Sequence, residues 1–319
     1  MSNVQRKGDA QEYEAEPHVS DPDRGVEPKV SLIWMTPDPL GAVAAMSSIY
    51  SGRVIRSLSE VTDDDRYQAL VDVQKTHLKA PLENVKLHFL LEGVDRAFTH
   101  QLVRQRTAVY AQESMRFATL GDLLDATTLP PSLAGTERSK DRVIDDYASE
   151  EQKMRTIWDR AIVDIDDAYH KLIDLGMPAE EARGLLPHAT ATRIHFITDL
   201  RNLSDHAGNR LCTQAQFHWR LVFNGMVKAI RNYHGDDYEY GDAWQFNALA
   251  SSGLFRPVCY QLGHCPFTAS FDRACTIRDR VQAFAEKGVP SEKWHDAPRY
   301  GDLQINPAEW LLDPSAARI

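Results

Sequence analysis

Cysteine and long apolar stretches are both scarce in this chain, and there is no excess of positive charge. Its 319 residues include only four cysteines, Cys212, Cys259, Cys265 and Cys275, too few for a disulfide scaffold at this size. No uninterrupted apolar run approaches roughly 18 residues, and the first thirty residues are polar, so neither a membrane span nor a signal peptide is expected. The 36 Lys and Arg face 46 Asp and Glu, a net charge of −10. That balance argues against coating nucleic acid or an anionic membrane. The 17 glycines form neither a G-x-x-x-x-G-K-S/T loop nor a G-x-G-x-x-G turn, and no H-E-x-x-H occurs. The common phosphate-loop, dinucleotide-turn and zinc-protease readings are therefore unsupported. With 43% apolar and 26% charged residues, the chain can bury a sizeable core. A soluble, cytoplasmic enzyme is the expectation.

Periodicity divides the chain. Residues 1–28 are acidic and poor in bulky apolar side chains, and read as a mobile tail. Val30 to Met35 reads as a buried strand stopped by Pro37 and Pro39. Thr62 followed by Asp63, Asp64 and Asp65 marks a helix start, with Tyr67, Leu70 and Val71 on its inner face. Lys86 to Glu92 suggests a second strand, after which Gly93 opens a segment with Val94, Ala97, Phe98, Leu102 and Val103 at helical spacing. A long helix runs through Met154, Ile157, Trp158, Ala161, Ile162, Ile165, Ala168, Tyr169, Leu172 and Ile173, with Gly176 as its stop. Pro178 begins a short helix ending before Pro187, and Thr192 to Thr198 reads as a strand. Phe217, Leu221, Val222, Met226, Val227 and Ile230 stripe a last long helix. The fold class is α+β, helices packed on a small mixed sheet.

Residues 96–116, RAFTHQLVRQRTAVYAQESMR, concentrate cations. Arg96, Arg104, Arg106 and Arg116 face the single acid Glu113. Gln101 and Arg104 lie three apart and would share one helix face. Forked, permanently charged guanidinium groups suit phosphate. A solvated helix end making surface ion pairs is the plainer alternative.

The order of these residues resembles the flavin-dependent thymidylate synthases, whose motif R-H-R-x-x-S-x-N-E-x-S-x-R aligns with Arg104 to Arg116. Three arginines and Ser114 fall at the family's spacing; Gln105, Val109, Ala111 and Gln112 stand where the family has His, Ser, Asn and Glu. His77 with Pro81-Leu82-Glu83-Asn84 is similar to an H-x-S-x-x-E-H step with one extra residue, and Ala182-Arg183 to Leu186-Pro187 is similar to A-R-x-x-L-P. Thr192-Arg193, Asp199-Leu200-Arg201, Arg210 and Ala215-Gln216 follow in the family's order, so the resemblance spans about residues 30–232.

The resemblance implies a catalytic domain over residues 29–250 and a C-terminal extension over 251–319. It also implies a homotetramer with active sites between subunits. The implied reaction uses FAD, with NADPH as reductant and methylenetetrahydrofolate as one-carbon donor, and methylates C5 of dUMP to give dTMP without a cysteine nucleophile. Carried over by position, the nucleotide would meet Gln101, Arg104, Gln112, Glu113, Ser114, Met115, Arg116, Arg183 and Arg210, with Arg116 and Arg183 on the phosphate. Arg210 would act catalytically, stabilising charge that develops on the pyrimidine. FAD would meet His77, Arg104, Gln105, Arg106, Thr107, Gln112, Asp199, Arg201 and Asp205, with Gln214 a further candidate. Other roles stay open: Arg183 capping its short helix, Arg210 pairing with Asp205 or Asp199, His77 as an ordinary helix-end histidine.

Gln105 removes a titratable imidazole, and Gln112 replaces an acceptor-only carboxylate with a group that also donates. Three readings follow: a thymidylate synthase with a drifted motif; a flavin- and folate-dependent enzyme that methylates or hydroxymethylates dUMP or dCMP; or a catalytically weak flavin- or nucleotide-binding homologue. No resident metal is expected. Cys259, His264, Cys265 and Cys275 suit zinc in ligand type, but their spacing is not that of a paired knuckle, and ordinary reduced cysteines are the preferred reading.

Overall fold

A computed structural model describes residues 13–14, 20–21, 25–76, 78–116, 118–138, 144–212, 215–233 and 243–258. The elements begin with strands β1 (Tyr13–Glu14), β2 (Ser20–Asp21), β3 (Gly25–Val26) and β4 (Lys29–Met35), then helices α1 (Pro39–Ser47) and α2 (Asp63–Lys75). Strand β5 (Lys86–Asp95) leads into α3 (Arg96–Leu102), β6 (Val109–Gln112), β7 (Ala118–Thr119), α4 (Glu150–Asp174) and α5 (Ala179–Ala182). Strand β8 (Ala191–Asp199) and helices α6 (Leu200–Arg210), α7 (Phe217–Arg231) and α8 (Ala243–Ser251) follow. The class is α+β, as expected. The chain forms two compact units: the first holds Glu92–Arg104, Ala111–Ile194 and the N-terminal segment to Pro28, and the second holds Lys29–Leu91, Gln105–Tyr110 and the chain from His195 onward.

Strands β4, β5, β8 and β6 hydrogen-bond in that order, and the second unit holds all of β4 with Lys86–Leu91 of β5, His195–Asp199 of β8 and Val109–Tyr110 of β6. Alternation puts Leu87, Phe89 and Leu91 of β5 in the core, with Phe196 of β8 stacked between Phe89 (6.3 Å) and Tyr110 (5.6 Å). On the opposite face His88 Nε2 and His195 Nδ1 meet at 2.9 Å. Helix α7 lies on β4 so closely that a Cβ on Gly225 would sit 2.7 Å from Val30. Its buried face carries His218, Trp219, Val222, Phe223, Met226, Val227 and Ile230, while the expected Phe217 and Leu221 are only partly covered. The Gln245 side chain of α8 accepts the Leu40 N–H at 3.1 Å.

Pro39 does more than end a strand. Pro39 occupies the first turn of α1, where its missing N–H costs nothing. Asp38 caps that helix, accepting the Gly41 N–H at 2.9 Å from a left-handed backbone (φ 46°). Burial works against the Asp38 charge, but the Arg66 fork at 2.9 and 2.7 Å and the Gly41 N–H hold its carboxyl below the usual range. Thr62 and Asp65 form the capping box of α2. Leu70 and Val71 are buried as expected, together with Ala69 and Val73, whereas Tyr67 is exposed.

In the first unit, β1 pairs parallel with β7 and β2 antiparallel with β3. The tail expected over 1–28 lies mostly outside the described residues, but Gly25 and Val26 are buried, and Val26 donates to the Thr127 carbonyl at 3.1 Å. Gly93 does not open a helix. Strand β5 runs through it to Asp95, and its φ of 65° brings the Glu27 carbonyl within 2.5 Å of where a Cβ would stand. Helix α4 starts at Ser149, which accepts the Gln152 N–H at 3.1 Å. It ends on Gly176 with two closing bonds, Gly176 N–H to the Ile173 carbonyl and Met177 N–H to the Leu172 carbonyl. Its expected apolar face is buried only in part: Ile162 and Tyr169 are covered as expected. Met154 and Ile157 are exposed, and the covered side carries Arg155, Thr156, Asp159, Ile162 and Tyr169. The cause is a buried ion pair: Arg155 Nε meets both Asp159 oxygens at 2.8 and 2.9 Å, and Arg155 Nη1 donates to the Thr136 carbonyl at 3.0 Å.

Candidate functional site

Each unit carries its own set of candidate side chains. In the first, the Asp95 carboxylate accepts the Phe98 N–H at 2.5 Å and starts α3. Arg96 therefore stands in the first helical turn, half-buried, with Nη2 donating to the Glu113 carbonyl at 3.5 Å. Burial pulls the Arg96 pKa down; Glu113 opposes this and Arg183 adds to it. The Arg96 Nε is buried without a hydrogen-bond partner. A buried cationic donor beside a second guanidinium is relieved by an anion.

Two further arginines join through Glu180. Arg183 Nε donates to the Glu180 carbonyl at 3.0 Å, which is the helix-capping role left open by the sequence, and Arg116 Nε lies 3.4 Å from the Glu180 carboxylate. Both are exposed. The turn bearing Arg116 is fixed by Glu113, which donates its N–H to the Arg193 carbonyl at 2.9 Å, accepts the Arg193 N–H on its carboxylate at 3.3 Å and pairs with Arg193 Nη1 at 3.2 Å. Ser114 Oγ accepts the Arg116 N–H at 3.3 Å, and Met115 is buried. Gln112 Nε2 donates to Thr99 Oγ1 at 3.1 Å, so one of its N–H groups is engaged within the unit. Gln101 and Arg104 do not share a helix face along α3, which ends at Leu102; a turn bond from the Arg104 N–H to the Gln101 carbonyl (3.3 Å) follows.

Residues 104–107 alternate sharply. Arg104, Arg106 and Thr107 are exposed, whereas Gln105 is 9% exposed and neither atom of its amide has a partner. In the second unit the Gln105 carbonyl accepts from Tyr110 Oη at 3.0 Å, and burial pushes that phenol up to about 12. A satisfied backbone beside an orphaned side chain marks a position shaped for something other than the protein.

The α6 residues take varied roles. Asp199 caps α6, accepting from the Asn202 N–H at 2.9 Å and Asn202 Nδ2 at 2.7 Å, and lies 3.4 Å from Lys86 Nζ. Arg201 pairs with Glu83. Asp205 is exposed and near Lys79, whose pKa burial pulls down while Asp205 opposes it. Arg210, in the last turn of α6, holds its guanidinium carbon 4.6 Å from the centre of the Trp219 ring rather than settling on the Asp199 cap. Burial lowers the Arg210 pKa, and burial with the Arg210 charge pushes His206 down to about 4. His77, Gln214, Cys259, His264, Cys265 and Cys275 lie outside the described residues.

Sequence reading missed Arg96 as a site residue, although it lay in the arginine run, and gave no role to Arg193, Lys79, His206 or Trp219. Arg96 carried a legible signal in its place among clustered cations and Arg193 in its motif position; His206 and Trp219 depend on which helix face is turned inward, and Lys79 lies outside the helices and strands.

Among the described residues no helix is long and apolar enough to cross a membrane. The family model of the thymidylate synthase complementing protein matches residues 31–234. The chain is 32% identical over 205 residues to the flavin-dependent thymidylate synthase of Geobacter sulfurreducens, covering 64% of this chain and 82% of that one. It is 27% identical over 256 residues to the enzyme of the same name from Pyrococcus abyssi, covering 79% and 95%. Among solved structures, the UMP/dUMP methylase PolB from Streptomyces cacaoi bound with 5-Br dUMP shares the fold, with a TM-score of 0.52 at 20% identity, covering 65% of this chain and 90% of that one. With more than half of its length matched by the family model and with relatives so named, this chain is an enzyme of the thymidylate synthase complementing protein family, the flavin-dependent thymidylate synthases.

Proposed function

We propose that this protein methylates C5 of dUMP to give dTMP, using FAD, with NADPH as reductant and methylenetetrahydrofolate as one-carbon donor. The observation that carries the reading is the Arg96 guanidinium, half-buried beside Arg183 with an orphaned Nε, next to the Glu113–Arg116 turn. A nucleotide monophosphate dianion supplies the acceptors this cluster lacks. Arg116 and Arg183 then exchange shared Glu180 contacts for phosphate contacts, which costs little because both are exposed. Arg210 supplies a fixed cation to the pyrimidine, where negative charge grows during attack from C5.

The residues fit the flavin. The buried Gln105 amide offers two donors and one acceptor with no protein partner. Together with Arg104, Arg106, Thr107, Asp199, Arg201 and Asp205 it would hold FAD, as would Gln112 through its carbonyl oxygen. Bound flavin supplies the reducing equivalents and the route for the one-carbon unit, chemistry that no side chain here provides. The chain acts as a homotetramer in the cytoplasm, with active sites between subunits, which suits a protein lacking a dinucleotide loop of its own.

The test supplies purified, FAD-loaded protein with NADPH and methylenetetrahydrofolate and compares dUMP with dCMP by product mass. Conversion of dUMP to a product one methyl heavier is expected. A hydroxymethyl product, or turnover of dCMP alone, replaces this reading with that of a related pyrimidine-modifying enzyme. If neither nucleotide is turned over and neither perturbs the flavin spectrum, the enzyme reading fails.

A further inference from the structure

Arg210 is a long, flexible side chain, and holding one such group in a single orientation costs rotamer freedom. The structure meets that cost with an aromatic platform. Trp219, in the first turns of α7, is fully buried, and its indole face lies under the guanidinium at 4.6 Å. The indole is held in turn by Phe223 at 6.1 Å and by the edge of His206 at 5.9 Å, one helical turn before Arg210 on α6. A cation over a buried indole gains attraction from the ring quadrupole.

We propose that Trp219 is the positioning residue for Arg210, its buried face fixing the guanidinium in the orientation that meets the substrate base. His206 completes the platform. It stays uncharged down to about pH 4, so it braces the indole without adding a second cation to the cluster. This inference rests on the placement of Arg210 at the pyrimidine proposed above.

A double-mutant cycle on the full-length, FAD-loaded protein tests it, using Trp219→Phe, Trp219→Leu, Arg210→Met and the combined variants. The readouts are dUMP dissociation constant, kcat and KM for dUMP, KM for NADPH, and melting temperature. Alone, Trp219→Leu lowers kcat/KM for dUMP by about 10-fold, within the range of a desolvated cation–π contact, and Trp219→Phe by about 3-fold. KM for NADPH stays unchanged. In the Arg210→Met background both substitutions change dUMP binding by less than about 2-fold, because the group they act through is gone. Equal losses in both backgrounds, tracking the melting temperature, overturn the proposal and leave Trp219 as core packing. Should Trp219→Leu fail to fold, Trp219→Phe, which keeps an aromatic core, carries the cycle. If Arg210→Met itself leaves dUMP affinity and turnover intact, the placement of Arg210 at the substrate fails first, and the inference with it.

Discussion

His206 ties the stability of this protein to pH. The unfolded chain protonates it near 6.5, whereas in the folded chain burial and the Arg210 charge hold it back to about 4. Between those values the unfolded state binds the extra proton, so stability is full above about pH 6.5 and is lost as pH falls toward 4. The loss at pH 4.5 is on the order of 2 to 3 kcal/mol. His88, whose pKa is lowered by burial and by His195, adds in the same direction. Urea denaturation at pH 7 and 4.5 should show a smaller pH dependence for His206→Gln than for the native chain; identical dependences would contradict this account. Gln105 presents the opposite trade. Replacing its orphaned amide with Leu removes a buried unsatisfied group, so the flavin-free protein should melt higher, while FAD affinity falls about 10-fold. Fluorescence titration with FAD checks the second half, and unchanged affinity would place the amide away from the flavin. The sequence named Gln105 by its position in the arginine run, but its burial between two exposed arginines came from the fold.

At the scale of elements, what was legible followed local rules. Thr62 with three aspartates, Gly176 after an apolar run, and the alternation from Leu87 to Leu91 each specify a cap or a strand within a few residues. What was missed depended on partners distant in sequence. Gly93 looked like a helix opener because nothing nearby signals that β5 must pass close under the Glu27 carbonyl. Gly93→Ala should destabilise the protein by about 2 to 4 kcal/mol, since the new Cβ meets a fixed backbone atom at a positive φ. Thermal or urea unfolding measures it, and a neutral result would mean the backbone relaxes there. The apolar face of α4 was read correctly at Ile162 and Tyr169, but its polar part was missed for a similar reason: hydrophobic periodicity cannot weigh an Arg155–Asp159 pair that is 2% exposed at both ends. Asp159→Asn should cost about 3 to 5 kcal/mol by removing the carboxylate charge that faces the buried Arg155 guanidinium, whereas Arg155→Met with Asp159→Leu should recover most of it.

For the whole molecule, the net charge of −10 conceals an uneven distribution. Residues 137–181 hold thirteen acids against seven bases, while Arg96, Arg116 and Arg183 gather around the Glu113 turn. Light scattering on the purified protein should return about four times the 36.1 kDa of the chain, and a monomer with full dUMP turnover would contradict sites shared between subunits. The sequence by itself determined the class of the fold, most helix and strand positions and the family, because periodicity, caps and an ordered string of arginines are properties of neighbours along the chain. Tertiary structure alone decided that the Gln105 amide is buried without a partner and that Arg210 rests on Trp219. It also decided that the Arg155–Asp159 pair of α4 turns inward. Each of these depends on groups brought together from remote segments, where burial and Coulomb interactions act through space and leave no local pattern to read.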